Sequence, residues 1–150
     1  MKIYTAPLEG ITGHVFRTAL YHHFGGADKY FIPFIRPNQN GNFSTREKQD
    51  IMPENNLNMY PQILTNKAED FLRTAEKLEA YGYKEINLNL GCPSKTVISK
   101  MRGSGFLAYP DELEQFLDEI FRKCKLEISI KTRIGKESPD EFVRLLDIYN

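Results

Sequence analysis

The sequence predicts an α/β protein built on a parallel sheet. Three observations predict it. Five short apolar runs alternate with stretches of helical periodicity. The helical stretches carry their apolar residues at spacings of three and four, so each offers one face to a core. The later apolar runs place polar side chains near their C-terminal ends, where parallel α/β folds bind ligands.

The elements follow in order. Ile3 to Ala6 is the first candidate strand. A helix opens at Thr12 or Gly13, with Val15, Phe16, Ala19, Leu20 and Phe24 expected on its core side. Gly25-Gly26 stops it. Tyr30 to Phe34 reads as a second strand. The stretch from Ile35 to Asn58 is a long polar connection, of a length that is usually functional or disordered. Within it, Ser44-x-x-Glu47 can start a short helix. Met59 to Leu64 reads as the third strand. A helix follows with Ala68, Phe71, Leu72, Ala75 and Leu78 on one side, ended by Gly82. Glu85 to Leu90 is the fourth strand. Pro110 starts a helix with Leu113, Phe116, Leu117, Ile120 and Phe121 on one face. Glu127 to Lys131 is the fifth strand. Ser138-Pro139-Asp140-Glu141 combines a capping box with proline at the first helical position, and Phe142, Leu145, Leu146 and Tyr149 follow at helical spacing. The open doubly wound fold and the (β/α)8 barrel both fit this order.

The bulk composition narrows the function classes. The 150 residues suffice for one domain with a core. Lys plus Arg and Asp plus Glu number 20 each, so nothing global marks a nucleic-acid binder. A basic binding surface must be local or lie outside this chain. Cys92 and Cys124 have no spacing of a disulfide framework or a zinc site. His14, His22 and His23 show no metal spacing, so no metal is expected. The first residues carry no signal-peptide apolar region, and no apolar run approaches the roughly 20 residues of a membrane span. A reducing cytoplasm is the expected compartment.

The chemistry is concentrated on three strands. Successive side chains of a strand point to opposite faces. Ile86, Leu88 and Leu90 therefore share one face, and Asn87 and Asn89 the other. Ile128 and Ile130 oppose Ser129 and Lys131. Tyr60 and Gln62 oppose Met59, Pro61 and Ile63. The apolar faces suit outer helices, which leaves Gln62, Asn89 and Lys131 pointing into a barrel. A lysine buried there needs an anionic or electron-rich partner. Gly91-Cys92-Pro93 follows the fourth strand directly and can hold a thiol toward the ligand face, where a mostly protonated thiol can act as an acid. A buried structural cysteine is the plainer alternative. Lys95, Lys100 and Arg102 add a basic loop suited to phosphates, or merely a solvated one. Cys124, near the end of a helix, reads as structural.

These segments resemble one family closely. Thr5-Ala6-Pro7-Leu8-Glu9-Gly10-Ile11-Thr12 is similar to the opening strand and loop of the tRNA-dihydrouridine synthases. Asn89-Leu90-Gly91-Cys92-Pro93-Ser94-Lys95, followed by Gly103-Ser104-Gly105, resembles their catalytic segment. Ile130-Lys131-Thr132-Arg133-Ile134-Gly135 resembles their fifth-strand motif. The resemblance runs over essentially the whole chain. It implies a (β/α)8 TIM barrel, with residues 1–150 supplying about the first five β/α units, and an FMN at the C-terminal mouth. It further implies reduction of uridine to 5,6-dihydrouridine in tRNA, with NADPH as reductant. Pro7 and Leu8 would contact the flavin through backbone, and Gln62 and Lys131 through side chains. Cys92 would donate a proton to C5 of uracil. Asn89, Lys95 and Arg133 would face the substrate.

A barrel of this type takes about 250 residues. The chain is therefore expected to be a shortened gene product or an excised domain, lacking the later strands and a helical RNA-binding domain. It would be poorly active alone and prone to self-association through open strand edges. Two alternatives stand beside it. One is another flavin barrel, such as a dihydroorotate dehydrogenase, which the Gly-Cys-Pro-Ser-Lys run fits less well. The other is a fragment that binds flavin without turnover.

Overall fold

A computed structural model describes residues 1–38, 40–52 and 58–150. The parts of the predicted polar connection at 39 and 53–57 lie outside the described residues. The elements run β1 (Tyr4–Thr5), α1 (His14–His23), β2 (Lys29–Phe31), α2 (Thr45–Ile51), β3 (Met59–Tyr60), β4 (Gln62–Ile63) and α3 (Ala68–Ala80). Then come β5 (Glu85–Leu90), α4 (Lys95–Ile98), α5 (Pro110–Lys123), β6 (Glu127–Thr132) and α6 (Phe142–Tyr149), with 3-10 turns at Gly103–Ala108 and Pro139–Glu141. The protein is α/β with every strand pair parallel.

The strands lie in chain order, β1-β2-β3 in one sheet and β4-β5-β6 in a second. No reversal of the kind that marks a doubly wound sheet interrupts the order. The predicted third strand is two short ones because Pro61 has no N–H to give a ladder. Its carbonyl still accepts from the Asn87 N–H at 2.8 Å. Across the break, the Ile35 N–H donates to Gln62 (2.8 Å) and the Leu64 N–H to Ile35 (2.9 Å), stitching the two sheets.

The fourth strand occupies its predicted span, and all six residues of β5 are buried. Ile86, Leu88 and Leu90 pack outward on Phe71 and Leu78 of α3 and on Leu113, Leu117 and Ile120 of α5. Phe116 stands edge-on to Phe71 at 6.2 Å and to Phe106 at 5.4 Å. Side chains of this kind stabilise by roughly 1.5–3 kcal/mol each when fully buried. Both capping boxes form, Ser44 with Glu47 ahead of α2 and Ser138 with Glu141 ahead of α6.

Of the expected core face of α1, Leu20 packs against the core, partly buried, and the rest does not. Val15 is 70% exposed and Phe24 82%, and Phe16 and Ala19 are exposed too. The buried residue is Arg17. Its guanidinium donates to the Thr12 carbonyl (2.7 Å) and the Asp50 carbonyl (2.7 Å) and lies 3.4 Å from Asp50 Oδ1. Apolar spacing cannot register a buried ion pair, which here ties the start of α1 to the end of α2. Phe121 likewise faces out from α5. No helix among the described residues is long and apolar enough to cross a membrane.

Candidate active site

The site begins with the alternation in β5. With Leu88 and Leu90 fixed in the core, Asn87 and Asn89 must occupy the opposite face. Strand register sets Gln62 beside Asn87, Ser129 on its other side, and Lys131 beside Asn89. Gln62 is 0% exposed and Asn89 5%, so their carboxamides must bond within the protein.

They do so in one directed row. The N–H groups of Gly91 (3.1 Å) and Cys92 (3.0 Å) donate to Asn89 Oδ1. Asn89 Nδ2 donates to Gln62 Oε1 at 2.7 Å, and Gln62 Nε2 to Asn87 Oδ1 at 2.6 Å. Asn87 Nδ2 then donates to Ser129 Oγ at 2.9 Å, and that hydroxyl donates to the Ile86 carbonyl at 3.4 Å. Asn89 thereby caps the turn that ends β5, which asparagine does well because its side chain reaches backbone two and three residues on.

Cys92 is a free, half-buried cysteine on that turn. The carbonyls of the turn are held as well. Arg133 Nε donates to the Gly91 carbonyl at 2.8 Å. The Ser104 N–H (3.1 Å) and Ser104 Oγ (3.0 Å) both donate to the Cys92 carbonyl. Gly103 sits at φ +55°, and a Cβ there would lie 2.8 Å from the Cys92 carbonyl oxygen. A Cβ on Gly105 would lie 2.8 Å from Ile98 Cα. Only glycine permits these approaches.

Gln62, Asn89, Cys92 and Arg133 are thus joined by hydrogen bonds, and Lys131 lies alongside Asn89 and Gly91. Lys131 is exposed, so the expectation of a buried lysine demanding a counter-charge does not hold. The face it shares with Asn89 is open at β6. Pro7 and Leu8 follow β1 at the same C-terminal edge, on the farthest strand. The Leu8 N–H is taken by Thr12 Oγ1 at 2.8 Å, and the Leu8 carbonyl accepts from Ile11 and Thr12. Lys95 is the exposed first residue of α4. Among the described residues, no hydrogen bond or ion pair joins Pro7, Leu8 or Lys95 to the cluster. Arg102 turns to Asn66 Oδ1 (3.5 Å), whose amide donates to the Lys100 carbonyl (3.3 Å). Cys124 is the C-cap of α5, and burial pushes its thiol pKa up. It lines a cavity of about 180 Å³ with Leu72, Ala75 and Leu126.

Ser104 carried a signal in the sequence, a small polar residue between two glycines, but its partner lies twelve positions back and no spacing rule names it. Among the described residues, no three His, Cys, Asp or Glu are grouped to hold a metal.

Residues 4–149 match the family model for dihydrouridine synthase. The chain is 30% identical over 136 residues to tRNA-dihydrouridine synthase B of Pasteurella multocida, covering 89% of this chain and 40% of that protein. It is 31% identical over 141 residues to a probable tRNA-dihydrouridine synthase of Staphylococcus aureus, covering 91% and 42%. With tRNA-dihydrouridine synthase B of Vibrio vulnificus the identity is 26%, covering 93% and 43%. The chain spans about two-fifths of the length of these relatives. The chain belongs to the dihydrouridine synthase family.

Proposed function

We propose that residues 1–150 form the N-terminal portion of a TIM barrel in a tRNA-dihydrouridine synthase, an FMN enzyme that reduces uridine in tRNA with electrons from NADPH and works in the cytoplasm. The observation that carries this reading is the Cys92 turn. It stands at the C-terminal end of the central strand β5, between the Gln62–Asn89 pair and Lys131. The all-parallel, consecutive strand order supports the barrel.

The donor set suits an electron-rich ring. A carboxamide nitrogen has two N–H groups, and the network uses one each from Gln62 and Asn89. The Lys131 ammonium has no ion pair among the described residues. These groups would hold the flavin, with the Pro7 carbonyl and the exposed Leu8 side chain lining its edge. Bound there, reduced flavin would supply a hydride to C6 of uracil. Cys92 would give its Sγ proton to C5. Asn89 would sit between flavin and substrate. Arg133 has Nε committed to Gly91, and its two terminal nitrogens and the Lys95 ammonium, which have no side-chain partner among the described residues, would take tRNA phosphates. The base must leave its stack to reach this edge. Exposed Val15 and Phe16 on α1, Phe24 at its C-cap, and Val143 and Leu146 on α6 would be covered by later β/α units or by self-association.

Flavin fluorescence tests the first step. Titration with the 150-residue chain should saturate, and Lys131→Ala should weaken binding about tenfold. In a chain extended through the remaining units, supplied with unmodified tRNA, Cys92→Ala should cut dihydrouridine formation by about 100-fold or more with flavin retained. Undiminished formation would remove Cys92 from the mechanism. Failure of both short and extended chains to bind FMN would refute the flavin site.

A further inference from the structure

We propose that Ser104 is a positioning residue that fixes the Cys92 turn from behind, an inference that rests on the proposed role of Cys92. Three side chains from three parts of the chain converge on the main chain of two residues, Gly91 and Cys92. Asn89 takes the N–H groups of Gly91 and Cys92. Arg133 takes the Gly91 carbonyl. Ser104 takes the Cys92 carbonyl twice, through its backbone N–H and its hydroxyl.

The Ser104 contact is built rather than incidental. Ser104 is 3% exposed. Gly103 and Gly105 flank it, and each lies where a side chain would strike the Cys92 or Ile98 backbone. The 3-10 turn of Gly103–Ala108 is thereby pressed onto the turn that carries the thiol, and it continues into the core through buried Phe106 and Leu107. The direction of the Cys92 side chain follows from the orientation of its own peptide units. A hydroxyl that locks the carbonyl therefore aims the sulfur without touching it. Arg133 acts on the preceding carbonyl in the same way, from the solvent side. Ser104 is the buried member, and it makes no contact of its own with the open face.

Site-resolved alkylation of the two cysteines tests this without flavin or tRNA, so its outcome is independent of whether Cys92 donates a proton. The chain is treated with iodoacetamide, and modification of Cys92 and Cys124 is followed separately by peptide mass spectrometry. Ser104→Ala should speed alkylation of Cys92 about fivefold, the worth of one net hydrogen bond, and leave Cys124 unchanged. Ser104→Thr, which keeps the hydroxyl, should restore a rate near the original. Three results would overturn the proposal: a Cys92 rate within twofold of the original in Ser104→Ala, an equal acceleration at both cysteines, or a Ser104→Thr rate as high as that of Ser104→Ala. The second would mean that the hydroxyl merely supports the fold.

Discussion

Replacing Gln62 by methionine isolates the energy of the buried polar row. The thioether matches the glutamine chain in length and removes only its polar end, so the cavity left is small. Two groups lose their partners, Asn87 Oδ1 and Asn89 Nδ2. Their residues are 2% and 5% exposed, so water does not reach them readily. An orphaned buried group costs about 1–3 kcal/mol, which makes about 2–6 kcal/mol for the pair. Relief from burying the glutamine amide offsets part of this, and a net loss of about 3 kcal/mol is expected. With a urea slope of about 1–3 kcal/mol per molar, the midpoint should fall by about 1 M or more. The chain has 8 tyrosines and no tryptophan, so tyrosine fluorescence and circular dichroism report the transition. Adding Asn87→Leu to Gln62→Met should cost less than the two single changes summed, because the residues share a bond. A Gln62→Met midpoint equal to or above the original would refute the reasoning, since both asparagines would then have found other partners.

Three further outcomes are expected of the buried groups around this site and α1. Gly103→Ala should destabilise the chain by about 2–4 kcal/mol in urea, combining a left-handed backbone penalty with overpacking against Cys92. Asp50→Ala removes the carboxylate beside buried Arg17 and should cost about 3–5 kcal/mol by thermal or urea unfolding, with unaltered stability contradicting the pair. Burial pushes the Tyr83 phenol up to about 12 against the pull of Arg17, and its hydroxyl donates to the Ile51 carbonyl at 2.7 Å. The folded value is raised, so the stability it contributes is complete below the ordinary tyrosine value near 10 and is lost as pH climbs toward 12. Unfolding midpoints between pH 9 and 11 should therefore fall less steeply for Tyr83→Phe, and identical slopes would contradict it.

Much of this architecture was legible in residue order because the periodicities are clean. Ile86 to Leu90 alternates strictly, and the strand and its two faces follow from that, but the register does not: Gln62 pairs with Asn87, two residues below the level that Lys131 shares with Asn89. Residues Leu113 to Ile120 mark their helix face equally well. The signal failed where a single side chain overrides a pattern. Pro61 splits a strand that reads as continuous, and α1 buries Arg17 while Val15 and Phe16 face out. The segment after Cys92 reads as a basic loop, yet it folds into α4 and a 3-10 turn through backbone bonds that carry no compositional mark. Cys92, Asn89 and Arg133 could be named, but not the bonds that Arg133 and Ser104 make to the Cys92 turn, because those depend on a fold that brings positions 12 and 42 apart into contact.

The row of carboxamides has a polarity pinned at both ends. It starts at main-chain N–H groups, which can only donate, and finishes at the Ile86 carbonyl, which can only accept. Turning over Gln62 or Asn89 would set donor against donor on one side and acceptor against acceptor on the other, and turning over Asn87 would set its nitrogen against that of Gln62 and draw the Ser129 hydroxyl away from Ile86. Three side chains that could each adopt two orientations therefore share a single permitted arrangement. The remaining N–H groups of Gln62 and Asn89 inherit their directions from it, so the polar face of this sheet is cut to one pattern.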